Sequence, residues 1–235
     1  MNFFDLLSDP EAREAIVGRI YGVVIGVVTN NKDADQVSGG LGRVKVRFPW
    51  LSDKDESAWA RIATPMAGKE RGWYFLPEVG DEVLVAFNQG NVHDPYILGA
   101  LWSKIDRPPV TNEDGKNNIR MIKSRSGHTI TLDDTPDQEK ITICDKTKKN
   151  QIVIDSAKNT MTIQVDQGIR IEAKGKIEIE TSKGDVAITC QNFSVEAQQK
   201  CQIKAATNLN LEANAGLGIK CLAGVKINDG ALEVT

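Results

Sequence analysis

The sequence has few of the residues from which catalytic and metal-binding sites are most often built. Its 235 residues include two histidines and four cysteines, and aromatic residues make up 6% of the chain. Zinc sites need ligands at short, regular spacings, but the cysteines form no C-x-x-C pair and have no histidine cluster beside them. We therefore expect no metal site, no cofactor and no catalytic residue.

Charge and hydropathy argue against two further kinds of partner. The formal net charge of -3 at pH 7 gives no electrostatic attraction for nucleic acid or for an anionic membrane. No apolar run approaches the roughly twenty residues that cross a bilayer. Residues 1–17 lack the basic start and the apolar run of a signal peptide. We expect synthesis in the cytoplasm without a signal peptide and no nucleic-acid partner.

What the sequence does contain, from about Ile152 onward, is a repeat of about eight residues. Each unit reads large apolar, polar, large apolar, polar and then small. The central apolar residues are Ile154, Ile163, Ile171, Ile179, Ile188, Val195, Ile203, Leu211, Ile219 and Ile227. The alternation is typical of a β-strand, and so short a unit cannot hold a helix pair or a propeller blade. The repeat predicts a β-solenoid or β-prism, with the positions from Ile163 to Ile219 in its core.

One irregularity interrupts the repeat. The step from Ile179 to Ile188 is nine residues, and the step from Ile188 to Val195 is seven. Because the two deviations cancel, we interpret the extra residue around Gly184–Asp185 as a local bulge and not as a change of fold.

Two architectures satisfy the repeat. A strand of about five residues cannot bury its apolar face alone. In a single-chain solenoid each strand stacks on the strand three units later, whereas in a triangular prism each strand pairs with strands of two other copies. The array ends after Ile227 without a cap domain, and an open sheet edge invites pairing with another chain. We favour an intertwined triple-stranded β-helix of three chains with another protein on its end.

Three of the four cysteines follow the repeat. Cys190 and Cys221 occupy the small position of their units, and Cys201 occupies a large apolar position. Free cysteine is among the most buried residue types, so we expect these three and Cys144 to be buried thiols.

The rest of the chain predicts an all-β protein with an OB barrel ahead of the repeat. We divide it into an N-terminal segment (1–18), an OB-fold domain (19–102), a linker rich in Pro and Asn (103–118) and a β-helical needle (119–235). The OB strands are predicted at Ile20–Val28, Gly42–Phe48, Ala58–Ala63, Glu82–Phe87 and Tyr96–Leu101. Five short strands in about 80 residues fit this small barrel. Less regular strands are predicted at Ile119–Lys123, His128–Asp133, Glu139–Cys144 and Gln151–Asp155.

Five stretches carry a family resemblance: Gly42–Trp50, Ser57–Ile62, Gly72–Val85, Asp94–Gly99 and Ser124–Asp134. The first four resemble the OB domain of Vgr-type and phage baseplate V-type spike proteins, and the fifth is similar to the start of the Vgr needle. The resemblance implies a homotrimeric central spike of a contractile injection apparatus, such as a phage tail, a tailocin, an extracellular injection system or a type VI system. Such a spike is not an enzyme, is assembled into a baseplate, and pierces the target cell envelope when the sheath contracts.

Departures from the family indicate separate partner proteins at both ends. Full-length Vgr proteins carry a hub region before the OB domain, whereas here that domain begins near Arg19. We expect a separate hub protein at the OB end. Its predicted contacts are Phe3, Phe4, Leu6 and Leu7.

The linker leaves no room for the lysozyme that some phage spikes insert, and the chain has no His-x-His apex to bind iron. A separate PAAR-like tip protein is therefore the expected cap. Its predicted contacts are Ile227, Asn228, Asp229, Leu232 and Val234.

Alternative interpretations concern the aromatic and titratable residues. Aromatic side chains in an OB fold can stack on bases, and the candidates are Trp50, Trp59, Trp73, Tyr74 and Trp102. Without a strong basic excess we interpret them as core or inter-subunit packing. His93 and His128 are expected to be turn or strand-edge residues, and Asp133–Asp134 to be solvated turn acids. A β-solenoid enzyme and a glycan-binding fibre stay open as alternative functions.

Overall fold

The computed structural model describes residues 19–34, 40–52 and 54–223, and its regular elements are strands. In chain order they are β1 (Val23–Asn30), β2 (Lys45–Arg47), β3 (Arg61–Ile62), β4 (Ala67–Gly68), β5 (Arg71–Gly72), β6 (Glu82–Phe87), β7 (Pro95–Leu101), β8 (Ile119–Lys123), β9 (Thr129–Asp133), β10 (Lys140–Cys144), β11 (Gln151–Asp155) and β12 (Thr160–Gln164). A 3-10 turn covers Asn88–Gly90, and no α-helix occurs in these described ranges. The all-β prediction is confirmed.

The chain divides into two compact units, Met1–Ile171 and Glu172–Thr235. All the strands of the described residues lie in the first unit.

The first five-stranded sheet has the order β2-β1-β6-β7-β3. Its strands pair antiparallel, except that β3 runs parallel to β7. Strict alternation along β6 turns Val83, Val85 and Phe87 inward, as a half-buried strand requires. The buried core consists of Val28, Val44, Val46, Phe48, Ala60, Val83, Val85, Phe87 and Ile97. Backbone hydrogen bonds between Val44 and Ala60 run between the two edges of this sheet.

Three strands have their predicted bounds, namely Glu82–Phe87, Ile119–Lys123 and Gln151–Asp155, whereas β2 and β3 are shorter than expected. The hairpin of β4 and β5 lies in a stretch predicted to be a loop. Its six residues contain no large apolar side chain, so no period indicated a strand.

The second five-stranded sheet is a meander in which β8 to β12 follow one another in chain order. Every neighbouring pair is antiparallel and in register over five residues. Each of the four turns contains one residue with positive φ, namely Gly127, Asp137, Lys148 and Asn159. Such residues complete tight turns and so fix the hairpin register.

From residue 165 to residue 223 the chain is a series of segments that form neither helix nor strand, separated by bends. The bends fall at residues 166–167, 174–175, 182–184, 191, 198–199, 206–207, 214–215 and 222–223. Their spacing reproduces the eight-residue period. The extra residue predicted near Gly184–Asp185 is present as a bend of three residues, in which the Gly184 N–H donates to Thr181 Oγ1 at 3.0 Å. Within this stretch, which the structure describes throughout, no segment pairs with another as a strand.

We predict that Ile97→Ala destabilises the first sheet by about 2–5 kcal/mol, because it leaves a cavity where a fully buried side chain stood. Urea unfolding followed by tryptophan fluorescence measures the change. Ile105→Ala removes the same atoms from a side chain that is 90% exposed and serves as the control. Equal unfolding midpoints for the two variants would contradict the assigned core.

Candidate assembly surfaces

The meander carries aliphatic side chains on one of its two faces. Alternation along each strand directs nine of them to the same side, which we call the apolar face: Ile122, Ile130, Leu132, Ile141, Ile143, Ile152, Ile154, Met161 and Ile163. Eight of the nine are 39–62% exposed, and Ile152 is half-buried. The described part of the chain therefore leaves this face largely uncovered.

Strand register arranges these side chains in two straight rows. In one row Ile130 stands opposite Ile122 and Ile143, and Ile152 stands opposite Ile143 and Ile163. The second row has four aliphatic side chains and begins at Arg120. Its order is Arg120, Leu132, Ile141, Ile154 and Met161. Cross-strand pairs of large aliphatic residues stabilise a sheet and leave a continuous apolar surface.

The opposite face of the meander is mixed. It presents polar and charged side chains, including Thr131, Thr142, Gln151 and Lys140, together with the apolar Ile119, Met121, Cys144 and Val153. Lys140 Nζ lies 3.8 Å from Asp133 Oδ2. Polar side chains on this face can hydrogen-bond with water, whereas the aliphatic side chains of the apolar face cannot. Burial is therefore favoured for the apolar face.

The adjacent acids Asp133 and Asp134 have separate partners. Hydrogen bonds from Thr135 lower the pKa of the Asp133 carboxyl, while Asp134 pairs with Arg120. The geometry is that of individually engaged turn acids and not of a shared carboxylate pair.

The turn between β10 and β11 is organised by one carboxylate. Asp145 accepts hydrogen bonds from the Asn150 side chain at 2.9 Å and from the Thr147 hydroxyl at 2.8 Å. Hydrogen bonds from Asn150 and then Thr147 lower the pKa of Asp145 to about 2. Asn150 Oδ1 in turn accepts from the Asp166 N–H at 2.9 Å, and Lys149 Nζ lies 3.0 Å from Asp166 Oδ2. The turn therefore fixes the path of the chain where it leaves β12.

The residues predicted to form the needle core are exposed in the single chain. Ile163 lies on β12 and is 53% exposed, and the other seven are 62–79% exposed. Those seven are Ile171, Ile179, Ile188, Val195, Ile203, Leu211 and Ile219. Their burial is not provided by the described part of this chain.

Three of the four cysteines are not buried within the single chain. Cys190, Cys201 and Cys221 are exposed and Cys144 is half-buried, so burial of these thiols between chains stays a prediction. The reason is the same as for the apolar positions beside them, since no strand of the described residues covers the segments that carry these thiols.

Four of the five aromatic candidates lie outside the core of the chain. Trp50, Trp73, Tyr74 and Trp102 are each more than half exposed. For these four, packing in the core of one chain is contradicted, whereas inter-subunit packing stays a prediction. None of these four residues belongs to the buried core of the first sheet.

The fifth aromatic residue, Trp59, stacks with cations on the outside of the first sheet. Arg43 and Lys45 lie 5.9 and 5.5 Å from its ring centroid. The Asp33 carboxylate accepts from Arg43 Nε at 2.9 Å, and this bond with Arg43 keeps the pKa of Asp33 well below its usual range. These contacts organise the loop between β1 and β2.

The two histidines act in local hydrogen bonds. The backbone N–H of His93 donates to Asn91 Oδ1 at 3.1 Å, and His128 Nδ1 accepts from the Lys146 N–H at 3.2 Å. Among the described residues there is no group of three or more His, Cys, Asp and Glu side chains able to hold a metal. Those residues also contain no helix long and apolar enough to cross a membrane.

The predicted partner contacts lie outside the described residues. This applies to the hub contacts Phe3, Phe4, Leu6 and Leu7 and to the tip contacts Ile227, Asn228, Asp229, Leu232 and Val234. The apolar face, by contrast, was not predicted as a site. Its signal was present in the alternation of Thr129–Asp133 and Lys140–Cys144, where aliphatic residues alternate with polar ones.

Comparison with known proteins identifies the class of the first sheet. Residues 24–102 match the family described as the type VI secretion system/phage-baseplate injector OB domain. The match covers about a third of the chain and includes every strand of that sheet. Residues 24–102 are thus similar to injector OB domains.

Curated relatives extend the similarity beyond that domain. The chain is 24% identical over 195 residues to the actin cross-linking toxin VgrG1 of Vibrio cholerae serotype O1, which is 80% of this chain and 17% of that protein. It is 30% identical over 138 residues to the type VI secretion system spike protein VgrG2a of Pseudomonas aeruginosa, covering 55% of this chain and 16% of that protein. Over 169 residues it is 26% identical to the spike protein VgrG3 of Vibrio cholerae serotype O1, covering 68% of this chain and 16% of that protein.

These matches confirm the resemblance to Vgr-type baseplate spike proteins of contractile injection systems. Two of these relatives are named as type VI secretion system spike proteins. The chain spans 16–17% of the length of these relatives, so the toxin named in one of them carries no conclusion for this chain.

We predict that Asp145→Asn lowers the melting temperature at pH 7, because the amide cannot replace a carboxylate that accepts from Asn150 and Thr147. A lowered carboxyl pKa stabilises the fold above the unfolded value of about 3.9, and this stabilisation disappears as pH falls through the folded value. The difference in melting temperature between the variant and the unaltered protein should therefore be largest above pH about 4 and should shrink as the pH falls towards about 2.

Thermal unfolding across that pH range measures the effect. Asp137→Asn is the matched control, since Asp137 is an exposed acid of a neighbouring turn. A destabilisation by Asp145→Asn that stayed constant down to pH 2 would contradict the role of this carboxylate.

Proposed function

We propose that the chain is a structural homotrimeric spike at the tip of a contractile injection apparatus, which pierces the target envelope when the sheath contracts. The apparatus is a phage tail, a tailocin, an extracellular injection system or a type VI system. One observation carries the proposal most strongly. Between residues 165 and 223 the chain repeats a strand-like unit eight residues long, yet its described segments form no strand pairs with one another.

Backbone hydrogen bonding favours three chains over a single-chain solenoid. In a solenoid, a segment such as the one around Ile171 would pair with the segment three units later in the same chain, and the described stretch contains no such pair. Nearly all buried backbone N–H and C=O groups in proteins are hydrogen-bonded. Strands of two other copies would supply these bonds and would bury the exposed apolar columns as an intertwined triple-stranded β-helix.

The domain organisation follows from the same proposal. The N-terminal segment (1–18) and the OB domain (19–102) face a separate hub protein, with Phe3, Phe4, Leu6 and Leu7 as hub contacts. The hydrogen bonds between Val44 and Ala60 support a closed OB barrel. A linker (103–118) leads to the needle (119–235), whose end receives a PAAR-like tip protein through Ile227, Asn228, Asp229, Leu232 and Val234.

The mechanism is mechanical and needs no chemistry. Burying an aliphatic side chain contributes roughly 1.5–3 kcal/mol, and each unit of the repeat offers two such side chains. A shaft in which every strand is paired would be stiff and slow to unfold, so sheath contraction would be transmitted to the tip as force. The chain is not an enzyme in this proposal, and the comparisons do not support the alternatives of a glycan-binding fibre or a carbohydrate-active enzyme.

We expect light scattering of the purified chain to give a mass of three 25.7 kDa subunits. The species should also persist in unheated SDS, because intertwined strands separate only if the whole shaft unfolds. The boiled sample, which should run as a single chain, is the control. A monomer would contradict the proposal and restore the single-chain solenoid.

We further expect deletion of residues 224–235 to leave the trimer intact and to abolish binding of the PAAR-like tip protein. A pull-down with the purified tip protein measures this. Deletion of residues 1–18 is the reciprocal control, since it should retain tip binding and lose binding to the hub. Tip binding that survived the first deletion would refute the assigned contacts.

A further inference from the structure

We propose that the apolar face of β8–β12 is the surface through which three copies of the chain first associate, before the repeat segments pair. The inference rests on the proposed trimeric spike and adds where the trimer is nucleated. Two identical copies of this chain are the occupant of the face, and they present the same aliphatic rows.

The face is too large and too apolar to suit a solvent-exposed surface. Five strands at about 4.8 Å and five residues at about 3.4 Å give a sheet of about 19 by 17 Å. Nine aliphatic side chains cover it, whereas the reverse face mixes Ile119, Met121, Cys144 and Val153 with threonine, glutamine and charged side chains. Contiguous apolar patches of a few hundred Å² commonly mark interaction surfaces.

The dimensions of the sheet suit three copies. A triangular prism with sides of about 17–19 Å has its axis about 5 Å from each side, and a packed sheet extends its side chains about 5 Å, half the usual spacing between sheets. One layer of isoleucine, leucine and methionine from each copy would therefore fill the prism to its axis.

The distribution of charge on this face favours another copy of the same sheet as its partner. On this side of the sheet the charged residue among the strand positions is Arg120, at the corner of the second row, and it pairs with Asp134. An acidic or basic partner would find no complementary charge among the central positions, which are aliphatic on β9, β10 and β11. An identical sheet matches it without any unpaired charge.

The face is also close in sequence to the repeat. Ile163 ends the first row on β12, and the first apolar pair after the bend, Ile169 and Ile171, follows within eight residues. Copies that meet on the sheet therefore have the beginnings of their repeat segments within a short length of chain of one another.

The two parts of the interface differ in what each chain can build alone. Every strand of the meander is hydrogen-bonded within one chain, so the face exists before association. The repeat segments have no such pairs among the described residues and need neighbouring chains to become strands. Association should therefore begin where the surface is preformed, because less conformational entropy is lost there on binding.

The test compares three substitutions in the full chain: Ile143→Asp at the centre of the face, Thr142→Asp on its reverse, and Ile203→Asp in the repeat. Light scattering over a concentration series gives the oligomer mass, and unheated SDS gels report the intertwined shaft. Tryptophan emission reports whether the OB domain is folded, independently of trimer formation through the meander, since all four tryptophans precede residue 103.

We expect Ile143→Asp to raise the chain concentration needed for half-assembly by about tenfold or more, because the carboxylate would have to be buried. Its tryptophan emission should stay native. Thr142→Asp should assemble like the unaltered chain. Ile203→Asp should retain the trimer mass and lose resistance to SDS.

If Ile143→Asp forms the trimer at the same half-assembly concentration as the unaltered chain, the inference is overturned and the proposed spike is unaffected. The same holds if Ile203→Asp loses the trimer while Ile143→Asp keeps it. A monomer of the unaltered chain would instead overturn the proposed function, and a dimer would exclude the three-copy geometry. Should Ile143→Asp lose native tryptophan emission, Ile143→Thr replaces it and is judged by the same two outcomes.

Discussion

Backbone hydrogen bonds decide how the parts of this chain differ. In the two five-stranded sheets each strand finds its partners within the chain, through tight turns in the meander and across longer stretches of chain in the first sheet. In the stretch from residue 165 to residue 223 the sequence favours strands just as clearly, but the segments between the bends form no strand pairs with one another. Because peptide groups cannot be buried without hydrogen bonds, this stretch can become a core only with other strands beside it.

The same constraint explains which expectations from the sequence succeeded. Alternation is a local property, so it located Glu82–Phe87 and the strands of the meander and predicted the eight-residue period of the bends. Pairing partners are not a local property. Burial of Cys190, Cys201 and Cys221 was expected from their positions in the repeat, yet burial depends on strands that the described residues of one chain do not supply.

Two features escaped prediction for different physical reasons. The hairpin of β4 and β5 is made by a turn through Glu70 at positive φ and contains no apolar period. The apolar face has such a period on every strand, but turns of unequal length separate its aliphatic pairs. A side-by-side arrangement such as Ile130, Ile143 and Ile152 becomes visible only once the strand register is known. The predicted hub and tip contacts lie beyond the described residues, so their assignment still rests on the family resemblance.

The three-residue bend at residues 182–184 has a consequence for alignment. A uniform repeat is translationally degenerate, since a chain displaced by one unit along its neighbours meets equivalent side chains and loses pairing only at the ends. A nine-residue step followed by a seven-residue step removes that degeneracy. If one copy were displaced by a unit, its three-residue bend would lie beside two-residue bends of the other copies. Its segment around Val195 would then no longer align with the equivalent segments of its neighbours. One additional residue can thus act as an alignment mark along an otherwise monotonous shaft.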